Sequence, residues 1–432
     1  MTTELDTGTA PAAGKATAAP GKAGRRRLSY PVVLLLIAAG LVLLSVVRSI
    51  TGEESLTATA QWASTLSFAV PIGLAGLAGL WAERAGVINI GLEGMMMLGL
   101  FAAGWAGWQW GPWIAVLAGI VGGALGGLLH AIATVTFGVD HIVSGVAMNI
   151  LALGVVQFLA KEAFGAEGSA AAEAGGNDKQ SPSMDRMEPF TVPGMSDALT
   201  DLADRHWFLI SDVAGILGAL VNEMSWLTLV AVALFVLTWY VLWRTSFGLR
   251  LRSCGENPEA TESLGVNVYA YKYFALIISG GLAGLGGAYL AVLIRMYQDG
   301  QTGGRGYLGL ATMIFGNWRP GGVATGAGLF GFMDALQTRG GGETVHATLL
   351  LFALILAALS VWWFTRGKRL QAVVGVVVAV LLWQWYEATG EMPLELVSAS
   401  PYLTTLLVLT LFAQRLRAPR AIGRQYRRGQ GG

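Results

Sequence analysis

Polar and charged side chains interrupt a strongly apolar part of the sequence between residues 82 and 97. Asn89 and Glu93 lie four positions apart, a spacing that places both side chains on one face of an α-helix. Gly91 and Gly94 flank Glu93 and would leave the helix backbone bare beside it. An amide and a carboxylate placed in this way can bind a polar solute, or they can join two helices through hydrogen bonds.

The sequence leaves both of these interpretations open. In the first, the two side chains form part of a polar strip along a solute pathway. In the second, they bond to a polar side chain of another helix, for which Asn149 and Arg319 are the candidates. Glu83 and Arg84, which stand just before a possible helix break at Gly86, need the same explanation.

No group of residues has the spacing of a catalytic or metal site. The four histidines are scattered at positions 130, 141, 206 and 346, and Cys254 is the single cysteine. The chain also has no Gly-x-x-x-x-Gly-Lys-Ser/Thr loop for binding a nucleotide phosphate. An intramembrane enzyme would need clustered His, Asp or Glu residues, or a Ser/Lys pair. We therefore expect no catalytic residue, no metal and no cofactor on this chain.

The composition is typical of a membrane protein. Of the 432 residues, 54% are hydrophobic and 13% charged, whereas soluble domains carry about 25% charged residues. The net charge of +1 argues against a nucleic-acid partner. Small-residue pairs such as Gly123/Gly127 and Gly280/Gly284 let helices pack closely in lipid. The expected class is a polytopic protein in the lipid bilayer.

Apolar runs bounded by charge, Pro or Gly predict an all-α fold with about 10–12 transmembrane or half-membrane helices. Lipid offers no hydrogen-bond partner to the backbone, so helices are expected in every run. The runs are 31–49, 60–80, 87–108, 113–137, 142–163, 227–244, 273–296, 307–317, 321–337, 347–364, 370–387 and 400–413.

Charge predicts the orientation, because basic residues stay on the cytoplasmic side. Residues 162–204 carry nine acidic side chains against Lys179 and Arg186, and are therefore placed outside. The predicted organisation has five parts. They are a disordered cytoplasmic tail at 1–28, a transmembrane domain at 29–414, its extracellular loop at 165–206, its cytoplasmic loop at 245–272 and a basic cytoplasmic tail at 415–432.

The segment 307–337 is predicted to enter the membrane and return to the same side. The cytoplasmic loop is inside, so the run 273–296 leads outside and the run 347–364 must return inside to the basic cluster at 366–369, with the acidic residues at 387–395 outside again. The segment 307–337 must therefore enter from outside and return there. Pro320 and Gly321 would break the helix. We expect two short helices joined near 317–321; a single long tilted helix is the alternative.

The cytoplasmic loop predicts a short capped helix. Asn257 suits the N-cap, Pro258 suits the first helical position and Gly265 can end the helix. Three apolar side chains would then be available for docking: Ala260, Leu264 and Val266.

Three stretches resemble a known family. Glu259-Ala260-Thr261 followed by Gly265 resembles the EAA signature of ABC importer permeases, with Thr261 where Ala is usual. Together with residues 89–97 and 256–260 and with Phe315-Gly316-Asn317-Trp318-Arg319-Pro320, it looks like the branched-chain amino acid and simple-sugar permease superfamily, and most like its nucleoside-type permeases. The resemblance covers about 30–340 and resumes at 400–428.

The resemblance implies an ABC importer permease fold and a role for the loop. Its coupling residues would be Glu256, Asn257, Pro258, Glu259, Ala260, Thr261 and Gly265. The implied partners are an ABC ATP-binding subunit that carries ATP and Mg²⁺, a second homologous permease chain and an extracellular substrate-binding lipoprotein. The expected location is the plasma membrane, with many spans and both termini cytoplasmic.

The hypothesis for the substrate pathway rests on six residues: Asn89, Glu93, Asn149, Asn317, Trp318 and Arg319. A nucleoside is the expected substrate, and a simple sugar is the alternative within the same family. An ion-coupled secondary transporter is the alternative from another class, because Glu93 could carry a proton. That reading does not explain the capped cytoplasmic helix.

Overall fold

The computed structural model describes residues 30–390 and 416–427, together with 392–393, 395–397, 399 and 403. Every named element in these residues is helical. The helices are α1 (Tyr30–Thr51), α2 (Thr59–Arg84), α3 (Leu92–Trp110), α4 (Pro112–Ala131), α5 (His141–Phe164), α6 (Ala170–Glu173), α7 (Met195–Ala203), α8 (Ile210–Gly218), α9 (Trp226–Arg244), α10 (Ser246–Glu256), α11 (Pro258–Ser263), α12 (Val268–Ile294), α13 (Arg305–Phe315), α14 (Pro320–Ala335), α15 (Gly341–Thr365) and α16 (Arg369–Ala388).

The all-α membrane architecture is confirmed. Seven of the described helices are long and apolar enough to cross a bilayer: α2, α4 with the π-helical turn that extends it, α5, α9, α12, α15 and α16. Eleven of the twelve predicted apolar runs contain a helix. The last run, 400–413, and the predicted tail at 1–28 lie outside the described residues.

The centre of the bundle is a contact between the glycine faces of α4 and α12. A methyl group on Gly123 would lie 2.2 Å from the carbonyl oxygen of Gly280, and one on Gly284 would lie 2.2 Å from that of Gly119. The α3 backbone joins this contact, since a methyl group on Gly99 would lie 2.3 Å from the Cα of Gly284. The predicted tight packing of these glycine pairs is confirmed.

The chain leaves helical geometry between α2 and α3. Gly86 has φ = +87°, in the left-handed region that favours glycine, and residues 87–91 are not helical. The prediction that Asn89 and Glu93 share a helical face is therefore wrong, because α3 begins only at Leu92. The apolar run 87–108 concealed this break, since its hydrophobicity continues through Val87, Ile88 and Ile90.

The predicted break in the segment 307–337 is confirmed. α13 ends at Phe315 and α14 begins at Pro320, so a single long helix is excluded. Asn317 and Trp318 between them both have φ = +53°, which is uncommon for residues with side chains. The break lies against the end of α2 that holds Glu83 and Arg84.

The predicted outer loop at 165–206 is folded and contains α6 and α7. Its backbone pairs with the segment after α12: the Ser181 amide donates to the Tyr297 oxygen at 3.1 Å, and the Met184 amide donates to the Arg295 oxygen at 2.7 Å. α12 separates this loop from α11, so the two lie at opposite ends of the bundle. α8, which follows the loop, was not predicted.

We expect the stability of the fold to depend on the close glycine contact between α4 and α12. Gly123→Val should lower the free energy of unfolding by about 2 kcal/mol or more, because the side chain would force α4 away from α12. Thermal unfolding and gel filtration of the detergent-solubilised chain would measure this. Gly154→Val is the matched control, since nothing lies within 4 Å of a methyl group placed there. Equal stability of the two variants would contradict the account.

Candidate functional site

The short capped helix predicted in the segment 245–272 is present. α11 spans Pro258–Ser263, and the side chain of Asn257 accepts a hydrogen bond from the Ala260 amide at 3.0 Å. Gly265 ends the helix with φ = +83°, and its amide donates to the Glu262 oxygen at 2.8 Å. The cap, the initial proline and the terminal glycine therefore act in the positions that the sequence indicates.

The side chains of α11 divide into an outward and an inward set. Leu264 is 84% exposed, and Glu259 and Ala260 are also exposed. Thr261 is buried, and its hydroxyl donates to the Asn257 carbonyl oxygen at 2.7 Å. Because that hydroxyl has a partner inside the turn, Thr is accommodated at a position where the resemblance leads us to expect Ala.

A groove of about 630 Å³ runs beside α11. It is formed by α10, α11 and the beginning of α12, and its walls include Leu249, Arg250, Glu256, Leu264, Val266 and Tyr271. An apolar rim with charged groups at its edge suits an element of another protein. The groove and the exposed face of α11 together form the candidate docking surface.

Close backbone contact fixes α10 and α11 to the bundle. A methyl group on Gly255 would lie 2.3 Å from the carbonyl oxygen of Arg84, at the end of α2. Cys254, beside it, is buried, and that burial raises the pKa of its thiol to about 11. The thiol is therefore protonated at neutral pH, and the residue is part of the packing.

The C-terminal residues 416–427, which we call the strap, pack against the junction between α2 and α10. The Ala421 amide donates to the Gly255 oxygen at 2.9 Å, and the Gly423 amide donates to the Gly86 oxygen at 3.1 Å. Tyr426 donates its hydroxyl proton to the Glu262 carboxylate of α11. The strap therefore ties α11 to the ends of α2 and α10.

The strap also reaches the break between α13 and α14. The Arg417 amide donates to the side-chain oxygen of Asn317 at 2.9 Å. The indole of buried Trp318 donates to the Glu83 carboxylate at 2.5 Å, and Arg84 Nε donates to the Trp318 carbonyl oxygen at 3.0 Å. Asn317 and Trp318 thus join the break to the α2 end, whereas Arg319 is exposed at the N-cap of α14.

Asn89 and Glu93 lie deeper in the bundle, and both are buried. The amide of Asn89 donates to the Ser279 hydroxyl of α12 at 2.9 Å. The two oxygens of the Glu93 carboxylate accept from the backbone amides of Gly304 at 3.0 Å and Gly306 at 2.7 Å. Each side chain thus joins α3 or the segment before it to a neighbouring helix. The partners are Ser279 and two backbone amides, whereas the sequence suggested Asn149 or Arg319.

Asn149 connects the same region to a residue that sequence reasoning missed. It accepts from the Gly94 amide at 2.8 Å, and its own amide donates to the Ile90 oxygen at 3.1 Å and to the Tyr307 hydroxyl at 3.0 Å. Tyr307 is 48% exposed. Its position as the only polar side chain among its neighbours Gly306, Leu308 and Gly309 was the available signal.

A second missed pair holds the two half-length helices together. Arg305, at the start of α13, donates to the Asp334 carboxylate of α14 at 3.0 Å. Both side chains are largely buried, so the pair fixes the angle between α13 and α14. Their separation of 29 residues in the sequence left no local signal for this contact.

Comparisons with known proteins agree with the geometry. A family model described as "Branched-chain amino acid transport system / permease component" matches residues 61–359. The chain is 32% identical to the guanosine ABC transporter permease protein NupQ of Bacillus subtilis, over 85% of this chain and 96% of that protein.

Two further relatives have similar coverage. The nucleoside ABC transporter permease protein NupC of Lactococcus lactis is 31% identical, over 84% of this chain and 95% of its own length. A chain of Haloferax volcanii named for glucose ABC transport, TsgC13, is 30% identical over 84% of this chain and 96% of its own length. No solved structure matches the chain significantly.

Proposed function

This chain belongs to the family of branched-chain amino acid transport system permease components, and on that premise we propose that it is the membrane-spanning subunit of an ATP-driven nucleoside importer. The observation that carries this proposal is α11, a short capped helix at one end of the helix bundle, whose C-cap residue Leu264 is exposed. The family assignment disfavours an ion-coupled secondary transporter.

The substrate proposal rests on the relatives. Two of them are named for guanosine or nucleoside transport and are 32% and 31% identical. A simple sugar is the second candidate, because the relative named for glucose is 30% identical over the same share of this chain. Uptake measurements with both substrates distinguish the two.

The docking surface supports coupling to an ATP-binding subunit. Leu264 is 84% exposed, and covering it by another protein would remove apolar surface from water. The groove of about 630 Å³ beside it could receive an element of that subunit. ATP and Mg²⁺ would bind to the partner, and the remaining partners would be a second permease chain and an extracellular substrate-binding lipoprotein.

Transmission from α11 into the membrane would use two routes. α12 begins at Val268, four residues after Leu264, the C-cap of α11, so a displacement of α11 would move the first turn of α12. The strap would move with it through Tyr426 and pull on Asn317 through Arg417. The second route ends at the non-helical break between α13 and α14.

The same geometry supports the proposed orientation. The strap and α11 lie at one end of the bundle, so a cytoplasmic ATPase would place the residues 416–427 on the cytoplasmic side. The acidic segment and α7 lie at the opposite end, which would be extracellular. This arrangement agrees with the basic charge of residues 415–432.

For the substrate pathway we favour Asn149 and Tyr307 over Asn89 and Glu93. The carboxylate of Glu93 and the amide of Asn89 are buried and already bonded inside the bundle. Tyr307 is half exposed and bonded to Asn149 on the surface between α5 and α13. A polar pair on a membrane-embedded surface is costly against lipid, so it would face the pathway.

The coupling proposal predicts that the chain co-purifies with an ATPase and that changes in α11 uncouple transport. Glu259→Lys or Gly265→Arg should lower nucleoside uptake at least tenfold, an effect of about 1.4 kcal/mol, without removing the chain from the membrane. Gly265→Arg acts through the positive φ and Glu259→Lys through the exposed face. The assay is uptake of labelled nucleoside by cells, normalised to chain in the membrane.

Glu173→Lys is the matched control, because it reverses the charge of an exposed acidic residue at the opposite end of the bundle. It should leave uptake unchanged. Uptake by the chain alone under a proton gradient, indifferent to changes at 259 and 265, would overturn the proposal.

The pathway proposal predicts a contrast between Tyr307 and Glu93. Tyr307→Phe should change the uptake per molecule or the apparent KM, because it removes the half-exposed hydroxyl that would meet the substrate and leaves the bonds of Asn149 to the backbone intact. Glu93→Ala should instead reduce the amount of folded chain, since it strands two buried backbone amides. The measurements are uptake kinetics and quantitative immunoblots of the membrane fraction. Normal expression with lost uptake in Glu93→Ala would reverse the assignment.

A further inference from the structure

The helix α8 has an apolar outer side and a polar inner side, the reverse of a helix on a water-soluble protein. Three large residues on or just beyond α8 are exposed: Ile210 (49%), Leu217 (44%) and Leu220 (45%). The inner side is small or polar: Ser211, Asp212, Gly215 and Gly218 are all buried. In water this arrangement would leave a continuous apolar stripe without cover.

The neighbouring helix α7, which precedes α8 in the predicted outer loop, provides a comparison. α7 packs against α8 and is also nine residues long. Its exposed positions include Asp197 and Asp201, as expected for a helix that faces water. The reversal is therefore specific to α8, and the two helices face different surroundings.

Three contacts hold α8 beside the end of α1 and the beginning of α2. Asp212 is buried and pairs with Arg48, near the end of α1, at 3.1 Å. A methyl group on Gly215 would lie 2.4 Å from the Thr57 oxygen, and one on Gly218 would lie 3.2 Å from the Thr59 hydroxyl at the start of α2. The small inner side of α8 allows this approach.

The level of these contacts corresponds to the membrane interface. α2 has 26 residues, which gives a length of about 39 Å at ~1.5 Å per residue. A bilayer with its headgroups is ~40–45 Å thick. Since Thr59 begins α2, the α8 contacts lie near the boundary of acyl chains and headgroups.

The residues before α8 have the character of that boundary. Trp207 and Phe208 are both half exposed, and the Arg205 guanidinium lies 5.3 Å from the Trp207 ring. Aromatic side chains with a nearby cation are enriched at membrane interfaces. Between residues 207 and 222 the only charged residue is Asp212, which is paired inside.

We propose that α8, with Trp207 and Phe208, is an interfacial membrane helix whose outer side contacts lipid in the leaflet opposite the α11 end. The membrane-spanning helix α9, which follows in the chain, also exposes apolar residues, Trp226 and Val230, and the exposed Glu223 lies between the two helices. The exposed side of α8 itself is apolar and uncharged, which fits acyl chains. The predicted outer loop therefore ends in the membrane, independently of which substrate the protein carries.

Spin labels at single cysteines test this proposal. Leu217→Cys and Leu220→Cys would be introduced into a chain carrying Cys254→Ser, purified with its co-purifying subunits and reconstituted into phosphatidylcholine–phosphatidylglycerol vesicles. Collisions of each label with oxygen, which concentrates in lipid, are compared with collisions with a water-soluble nickel chelate. The matched control is Asp201→Cys on α7.

At 217 and 220 we expect the ratio of oxygen to nickel collisions to exceed that at 201 several-fold. Equal ratios at all three positions would overturn the proposal, because α8 would then face water. Low collision rates with both reagents at 217 and 220 would also overturn it, since a second protein would then cover the helix. Because these three residues are exposed, each variant should fold; gel filtration that matches the parent chain verifies this.

Discussion

The backbone contact between α4 and α12 is the constraint on which the rest of the molecule depends. A single methyl group at Gly123 or Gly284 would overlap the facing helix, so the two helices cannot move apart or change register without losing the contact. α12 therefore runs as one helix from its start beside α11 to the glycine contact at the centre of the bundle. In the proposed coupling, a displacement of α11 would reach the centre of the bundle through α12.

Two segments of the bundle are not helical, in contrast to the closely packed helices α4 and α12. Residues 85–91 and 316–319 both leave helical geometry, and Arg84 and Trp318 join them to each other. Polar side chains satisfy the backbone that these breaks expose: Asn89 bonds to the Gly91 amide, and Asn317 accepts from the strap. The polar residues of the membrane region are thus concentrated where the backbone is irregular, which is the arrangement that lipid requires.

Local signals in the sequence were enough to predict most helices, the cap of α11 at Asn257 and the break before Pro320. They were not enough for the start of α3, because apolar residues continue through 87–91, which are not helical and follow the left-handed turn at Gly86. α8 was missed because nine residues with a reversed pattern resemble neither a span nor a soluble helix. The pairs Asn149–Tyr307 and Arg305–Asp334 depend on packing between distant segments, which one sequence does not reveal.

The central claim is that the exposed face of α11 meets an ATP-binding subunit. The most direct measurement is cross-linking from Leu264→Cys, labelled with a benzophenone maleimide in a chain that carries Cys254→Ser. The account predicts a covalent adduct with the ATPase whose yield changes with bound nucleotide, and no such adduct from Leu217→Cys at the opposite end. Adducts with the ATPase from 217 but none from 264 would contradict it, as would the absence of an ATPase adduct at 264 in an intact, transporting complex.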